Sequence, residues 1–208
     1  GGIAVALCLE PTDNLIHAGC VGSLQATVTV PGRRAHSARP WQGQNAIYAA
    51  LPLLTRLAAL GRREVVVDGL RFYEVLTATQ ARTENSRNVV PDRFLLNLNY
   101  RFAPGKTPQA AEAELRELVG PDYPLELVDA APAGSVQLGH PLLAAWLQKS
   151  ALAVEAKQAW TDVARLTALG LAAVNFGPGD TAQAHQANES VAIPALAQSY
   201  KALRALLE

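Results

Sequence analysis

From residue 23 to about residue 130 the hydrophobic pattern changes period in one order: strand, helix, strand, strand, helix, strand. No other feature restricts the fold as much. Ser23-Leu24-Gln25-Ala26-Thr27-Val28-Thr29-Val30 alternates polar with apolar, as a strand buried on one face does, and Pro31-Gly32 ends it. Residues 45–60 carry Ile47, Ala50, Leu51, Leu54 and Leu57 at helical spacing, with Pro52 inside the helix removing a donor and favouring a kink. Residues 71–81 and 94–102 read as strands. In the second, Leu95, Asn97 and Asn99 alternate with Leu96, Leu98 and Tyr100. Thr107-Pro108 opens a helix that runs to Leu118 with Ala111, Leu115 and Leu118 on one face. Gly120 ends it, and residues 125–128 make a short strand. This βαββαβ order predicts a ferredoxin-like unit.

The flanks have a different character. Residues 3–9 are a continuous apolar run stopped by Glu10-Pro11-Thr12, a buried strand with an acid at its carboxyl end. After the small-residue stretch Ala131-Pro132-Ala133-Gly134 come helices over 141–154 and 161–169, a buried strand over 171–176 and an amphipathic helix over 193–207. Such alternation predicts a sheet with parallel pairs covered by helices. The first strand belongs to that sheet, and the ferredoxin-like unit is inserted into it. The fold class is therefore α/β, with residues 1–17 and 132–208 in one domain and 18–131 in the other. A chain that opens on a core strand is expected either to begin in mid-domain or to place that strand at a sheet edge.

Charge narrows the function classes. Lys plus Arg equals Asp plus Glu at 18 each, so there is no electrostatic footprint for nucleic acid or an anionic membrane, and a small molecule or peptide is the expected partner. No apolar run approaches the roughly 18 residues of a membrane span. Cys8 and Cys20 are not a C-x-x-C pair. They read as buried free thiols in a reducing, cytoplasmic setting, the alternative being a disulfide.

Four places hold polar residues that a plain core does not require. Glu10 is a carboxylate suited to a divalent metal, or an ordinary exposed acid. His36, in the loop Gly32-Arg33-Arg34-Ala35-His36-Ser37-Ala38-Arg39-Pro40, could polarise a carbonyl while the arginines attract an anion, or the loop is a basic solvated turn. Asn88-Val89-Val90-Pro91-Asp92 leads to Arg101, which alternation places with Leu95, Asn97 and Asn99, a binding surface or a face turned to water. Asn175-Phe176-Gly177-Pro178-Gly179-Asp180 delivers His185 and Glu189 to one end of the sheet, as a site or as a surface loop.

With Trp160-Thr161-Asp162-Val163-Ala164-Arg165, these segments form an ordered set: Glu-Pro-Thr after a strand, Gly-x-x-Ala-His-Ser-Ala-x-Pro, Gly-x-Asn-Ala-Ile, Asn-Val-Val-Pro-Asp, Trp-Thr-Asp-x-Ala-Arg, and Gly-Pro-Gly-Asp before Ala-His-Gln. The set resembles the two-zinc deacylase and metallopeptidase family of desuccinylases, aminoacylases, acetylornithine deacetylases and carboxypeptidases, and within it the branch that releases succinate from succinylated diaminopimelate in lysine and cell-wall synthesis, an aminoacylase, acetylornithine deacetylase or carboxypeptidase being the alternative. The resemblance implies an α/β catalytic domain with an inserted ferredoxin-like lid through which two copies dimerise. It implies that Glu10 ligates one zinc and His185 the other, cobalt being an alternative metal. It further implies that His36 stabilises an oxyanion in the partner's site, and that Asn88, Arg101 and Arg165 hold a substrate carboxylate.

In that family a His-x-Asp motif, a bridging aspartate and a Glu-Glu pair precede the Glu-Pro-Thr strand, and this chain has none of them. Thr83-Glu84-Asn85-Ser86-Arg87 also replaces a glycine-rich turn. The expectation is an N-terminally truncated chain that binds zinc weakly and is inactive alone. A non-catalytic dimerisation module is the reading from another class.

Overall fold

The computed structural model describes residues 2–184 and 186–208. The chain opens with strands β1 (Val5–Cys8) and β2 (Ile16–Ala18), followed by β3 (Gly22–Pro31), β4 (Ala35–His36), helices α1 (Ala46–Ala49) and α2 (Leu51–Ala58), β5 (Arg63–Val67), β6 (Leu70–Arg82), β7 (Val89–Val90) and β8 (Arg93–Phe102). It continues through α3 (Pro108–Val119), β9 (Leu125–Ala131), α4 (Pro141–Ser150), β10 (Val154–Ala156), α5 (Val163–Ala168), β11 (Ala172–Asn175) and α6 (Ile193–Leu207).

Five strands form an antiparallel sheet in the order β5-β6-β8-β3-β9. Without β5 this is the ferredoxin-like order, and α1–α2 and α3 supply the two crossovers. The helices cover one face, where Leu24, Val28, Leu96 and Leu98 pack with Leu53 and Leu115. The other face is polar: Ser23 is in register with Arg101, Gln25 with Asn99 and Thr27 with Asn97. Thr107 caps α3 by accepting from the Ala110 N–H at 3.1 Å, and Gly120 ends it at φ 86°.

A second sheet has the order β1-β11-β2-β10. Its outer pairs are parallel and the central pair, β11 with β2, is antiparallel. Ile16, Ala18, Val174 and Phe176 bury one face beneath Leu143, Trp146 and Ala202, with Trp146 edge-on to Phe176 at 5.2 Å. Val163 and Ala164 of α5 cover Ala173 and Cys20 on the other face. The β5–β6 hairpin bridges the two sheets. Phe72 packs with Val21 and Ala103, and Gln158 donates to Arg71 O at 3.0 Å and accepts from the Tyr73 N–H at 3.1 Å.

The structure differs from the sequence expectation in local detail. The helix expected over 45–60 is two helices that meet at Ala50, with Pro52 in the first turn of the second, where its missing N–H has no partner to lose. The helix expected over 141–154 stops at Ser150, because Ala151 turns left-handed at φ 52°, and β10 takes over the remainder. The short strands β2, β4, β5, β7 and β10 were not anticipated.

Candidate functional site

The loop that carries His36 is closed at its base. Arg33 and Gln44 exchange main-chain hydrogen bonds of 2.8 and 2.9 Å. A glycine stands beside each because nothing larger fits: a Cβ on Gly32 would lie 2.4 Å from Gln44 O, and one on Gly43 would lie 2.6 Å from Arg33 O. Within the loop β4 pairs with β7, setting His36 opposite Val89, and the Ser37 N–H donates to Asn88 O at 2.9 Å. The loop thus locks His36 and Asn88 together. Gly43→Ala is expected to lower stability by about 1–3 kcal/mol through overpacking against backbone. It should also move the His36 ring signals in NMR spectra, and an unchanged urea midpoint with unchanged signals would refute the tight closure.

His36 is exposed, and its Nδ1 accepts from the Ala38 N–H at 3.0 Å. A ring nitrogen that accepts carries no proton, so neutral His36 holds its proton on Nε2 and is a donor there. Arg34, expected to attract an anion, is instead paired with Asp92 at 3.0 Å.

Arg101 lies at the far end of β8. From Arg93, next to this loop, to Arg101 is eight strand steps, or about 26 Å at roughly 3.3 Å each. The sequence reading gave Asn88 and Arg101 one carboxylate to hold, and a single chain cannot bring them to the same one.

Arg101 and Arg165 do share a cleft. Together with Ser23, Asp129 and Trp160 they line a space of about 370 Å³ between the polar sheet face and the loop before α5. The Arg101 guanidinium is half-buried and donates to Asn99 Oδ1 at 2.9 Å, with no carboxylate in ion-pair range among the described residues. Burial pushes its pKa down from the usual value. A desolvated cation without a counter-ion is a ready anion receptor. Arg165 stacks on Trp160 at 5.1 Å and bonds Asp162 at 3.1 Å, which holds its guanidinium over the cleft. Trp160, Ser23 and Asp129 had no role in the sequence reading; Trp160 was inside a quoted motif and was the one that could have been read.

Glu10 is exposed just beyond β1. Its loop is stitched to the Gly-Pro-Gly turn: Thr12 and Asn14 donate to Gly177 O at 3.2 and 3.0 Å, and Asp13 donates to Gly179 O at 2.8 Å. A Cβ on Gly177 would lie 2.6 Å from Glu10 O, so a glycine is needed there. His185 lies outside the described residues. Among the described residues no three His, Cys, Asp or Glu side chains converge as a zinc site requires, so these residues do not by themselves complete a metal centre.

The peptidase dimerisation domain of the M20 family matches residues 19–126. A Mycobacterium tuberculosis protein named "Putative succinyl-diaminopimelate desuccinylase DapE" is 40% identical over 98% of this chain and 58% of its own length. The succinyl-diaminopimelate desuccinylase of Corynebacterium glutamicum is 38% identical over 89% of this chain and 52% of its own length. Among solved structures, a tripeptidase from Staphylococcus aureus superposes with TM-score 0.75 at 14% identity, covering 96% of this chain and 55% of that one. Aminopeptidase PepT from Bacillus cereus gives 0.71 at 15% identity, covering 97% and 55%. The chain thus spans little more than half the length of each. The order βαββαβ, the closed His36 loop and these likenesses lead to one conclusion: the chain belongs to the M20 peptidase family, and residues 19–126 match its dimerisation domain.

Proposed function

We propose that this chain is part of a metal-dependent, cytoplasmic amide hydrolase of the succinyl-diaminopimelate desuccinylase type. In this reading it supplies the dimerisation lid, the substrate-carboxylate pocket and part of the metal shell, with zinc as the metal. The observation that carries the reading is the cleft in which unpaired Arg101 faces the stacked guanidinium of Arg165. A carboxylate of an acylated amino acid is the ligand such a pocket suits. Glu10 and His185 would hold part of that zinc, which would supply a water of lowered pKa as the nucleophile. The lid contributes a donor instead: His36 Nε2–H is directed outward, able to stabilise the negative charge that develops on an amide oxygen. One such donor is worth about 2.7–4 kcal/mol of barrier.

The roughly 26 Å between the ends of β8 supports a dimeric site. His36 and Asn88 of one copy serve the cleft of the other, with Glu10 and His185 as candidate ligands there. The two cysteines are free thiols, in keeping with a reducing compartment. A carboxypeptidase of the same family is the second reading, favoured by an Aspergillus niger relative named "Probable carboxypeptidase" that is 29% identical over 96% of this chain.

The test reads the coding frame upstream of Gly1 for the His-x-Asp and Glu-Glu motifs and assays the encoded protein on succinyl, acetyl and peptidyl amino acids. Succinyl substrates are expected to be preferred, with kcat/KM lowered by about 10–10²-fold in Arg101→Ala, as for other charge-assisted contacts. A frame without the motifs favours a non-catalytic module, and a preference for dipeptides favours the second reading.

A further inference from the structure

The cleft that holds Arg101 also holds an acid, and a β-bulge puts it there. In β9, Leu125 is in register with Val28, Glu126 with Thr27 and Leu127 with Ala26, but the next partner pair is Asp129 with Gln25. Val128 is therefore an extra residue with no partner on β3. Leu125, Leu127 and Ala26 pack on the helix-covered face, whereas Gln25 belongs to the polar one. Simple alternation from Leu127 would put Val128 on the polar face and turn Asp129 toward the helices. The bulge exchanges them: Asp129 joins Gln25 and Asn99 on the polar face, and Val128 is left 61% exposed on the edge strand.

Asp129 lines the cleft with Arg101, Arg165, Ser23 and Trp160, and its carboxylate has no hydrogen bond or ion pair among the described residues. Arg101, Ser23 and Ala131 are in register across three strands, and Asp129 stands two residues before Ala131. The Arg101 and Asp129 Cα atoms are thus roughly 12 Å apart, from strand spacings of about 4.8 Å and a rise of about 3.3 Å per residue. At that separation the two do not pair, and no acid offsets the burial that pushes the Arg101 pKa down. Arg165 is already balanced by Asp162 at 3.1 Å. The charges left open in the cleft are one cation and one anion. Trp160 forms a fixed wall beside them, its indole N–H donating to Pro132 O at 3.1 Å, next to the end of the strand that bears Asp129.

The matching ligand carries the opposite pair, a carboxylate for Arg101 and an ammonium for Asp129. A second carboxylate in place of the ammonium would meet a like charge. An N-acylated amino acid has lost its α-ammonium to the amide, and so has the carboxyl-terminal residue of a peptide. A diamino diacid acylated at one end keeps a complete amino-acid head group at the other.

We propose that Asp129 is a specificity residue: it binds the free α-ammonium of the substrate while Arg101 binds the carboxylate on the same carbon. The cleft then receives the unacylated end of an acylated diamino diacid. The choice of a diamino diacid rests on the desuccinylase reading; the need for an ammonium rests on the cleft.

The experiment titrates the full chain with diaminopimelate and with pimelate, which has the same two carboxylates and no ammonium. Calorimetry compares wild type, Asp129→Asn and Arg101→Ala. Diaminopimelate is expected to bind wild type, and to bind Asp129→Asn at least tenfold more weakly, as when a charge-assisted contact is removed. Pimelate should bind wild type more weakly than diaminopimelate and gain in Asp129→Asn, where a like charge is gone. Misfolding cannot produce these opposite responses, and an isosteric change at an exposed position should leave the melting temperature matched. Arg101→Ala should weaken both ligands. Diaminopimelate binding that is absent from wild type, unchanged in Asp129→Asn, or reduced there in parallel with pimelate overturns the proposal. If the complete enzyme prefers succinyl-diaminopimelate and Asp129→Asn leaves its KM unchanged, the desuccinylase reading stands and the role of Asp129 fails. If diaminopimelate binding depends on Asp129 while the complete enzyme prefers acetyl or peptidyl substrates, the desuccinylase reading fails and the ammonium subsite stands.

Discussion

Glu74→Ala is expected to lower the stability of this chain by about 3–5 kcal/mol, the usual loss when one partner is removed from a buried ion pair. The Glu74 side chain is 3% exposed, and it accepts from the Ala103 N–H at 2.9 Å, Lys106 Nζ at 2.9 Å and Arg63 Nε at 2.9 Å. Glu114 closes the network by bonding Tyr100 at 2.8 Å and Arg63 at 2.7 Å. Two acids balance two bases, so the charge is neutral only while all four members are present. Burial, with the Glu114 carboxylate adding to it, pushes the Tyr100 hydroxyl up to about 12, which keeps it neutral and available as a donor. Alanine at 74 leaves the Ala103 N–H without an acceptor and the Arg63 and Lys106 charges facing one acid.

Acid should produce part of the same effect. Burial alone would raise the Glu74 carboxyl, but donation from Ala103, Lys106 and Arg63 outweighs it and holds the group below its usual 4.5. A carboxyl whose folded pKa lies below its unfolded one stabilises the fold above the unfolded value, and that contribution is lost as pH falls through the folded one. Urea unfolding from pH 7 to pH 3 should therefore show stability declining below about 4.5, with a shallower decline in Glu74→Gln. A Glu74→Ala midpoint equal to wild type would overturn this account.

Glu74 also shows where the sequence was opaque. It occupies an inward position of β6 between Phe72 and Leu76, and no local signal pairs it with Lys106, which is 32 residues away. What could be read was periodic: the alternation in residues 23–30 and 94–102 and the Thr107-Pro108 start gave four strands and two helices of the unit in their order. The β5–β6 hairpin was legible and missed, since Asp68-Gly69 between valines and Leu70 is a strong tight-turn signal. Three-residue β2 and β10 are too short to show a period. His36 stood out because a polar loop between strands has no core role. Asn88 and Arg101, 13 residues apart, looked like neighbours until a straight strand separated them.

Ala78→Pro is expected to convert a dimer into a monomer without unfolding the lid. Asp68 and Gly69 both have positive φ, 49° and 79°, as a two-residue hairpin turn requires. Val67 and Leu70 close the turn, so Leu70 directs its N–H and C=O toward β5, and Phe72 and Glu74 follow by alternation. Tyr73 directs its N–H the other way, to Gln158. Continued alternation aims the main-chain groups of Leu76 and Ala78 at the β5 side, yet β5 pairs no further than Glu74. The free edge that results, Val75-Leu76-Thr77-Ala78-Thr79-Gln80-Ala81, has neither a charge nor a proline to discourage pairing. If the chain dimerises as proposed, two copies related by a two-fold axis are expected to satisfy each other there, antiparallel. Proline at 78 removes an N–H aimed at the partner and none from the ladder with β8, the one arrangement in which a strand tolerates it. The substitution occurs in both copies, so two bonds of about 0.5–1.5 kcal/mol are lost and two rings meet, weakening association by roughly 100-fold or more. Sedimentation should give wild type as two 22.1 kDa chains and the variant as one, at matched urea midpoints. A wild type that stays monomeric at high concentration, or a variant that dimerises as before, would mean that this edge is not the interface. His36 and Asn88 would then have no route to a cleft about 26 Å away along the same strand.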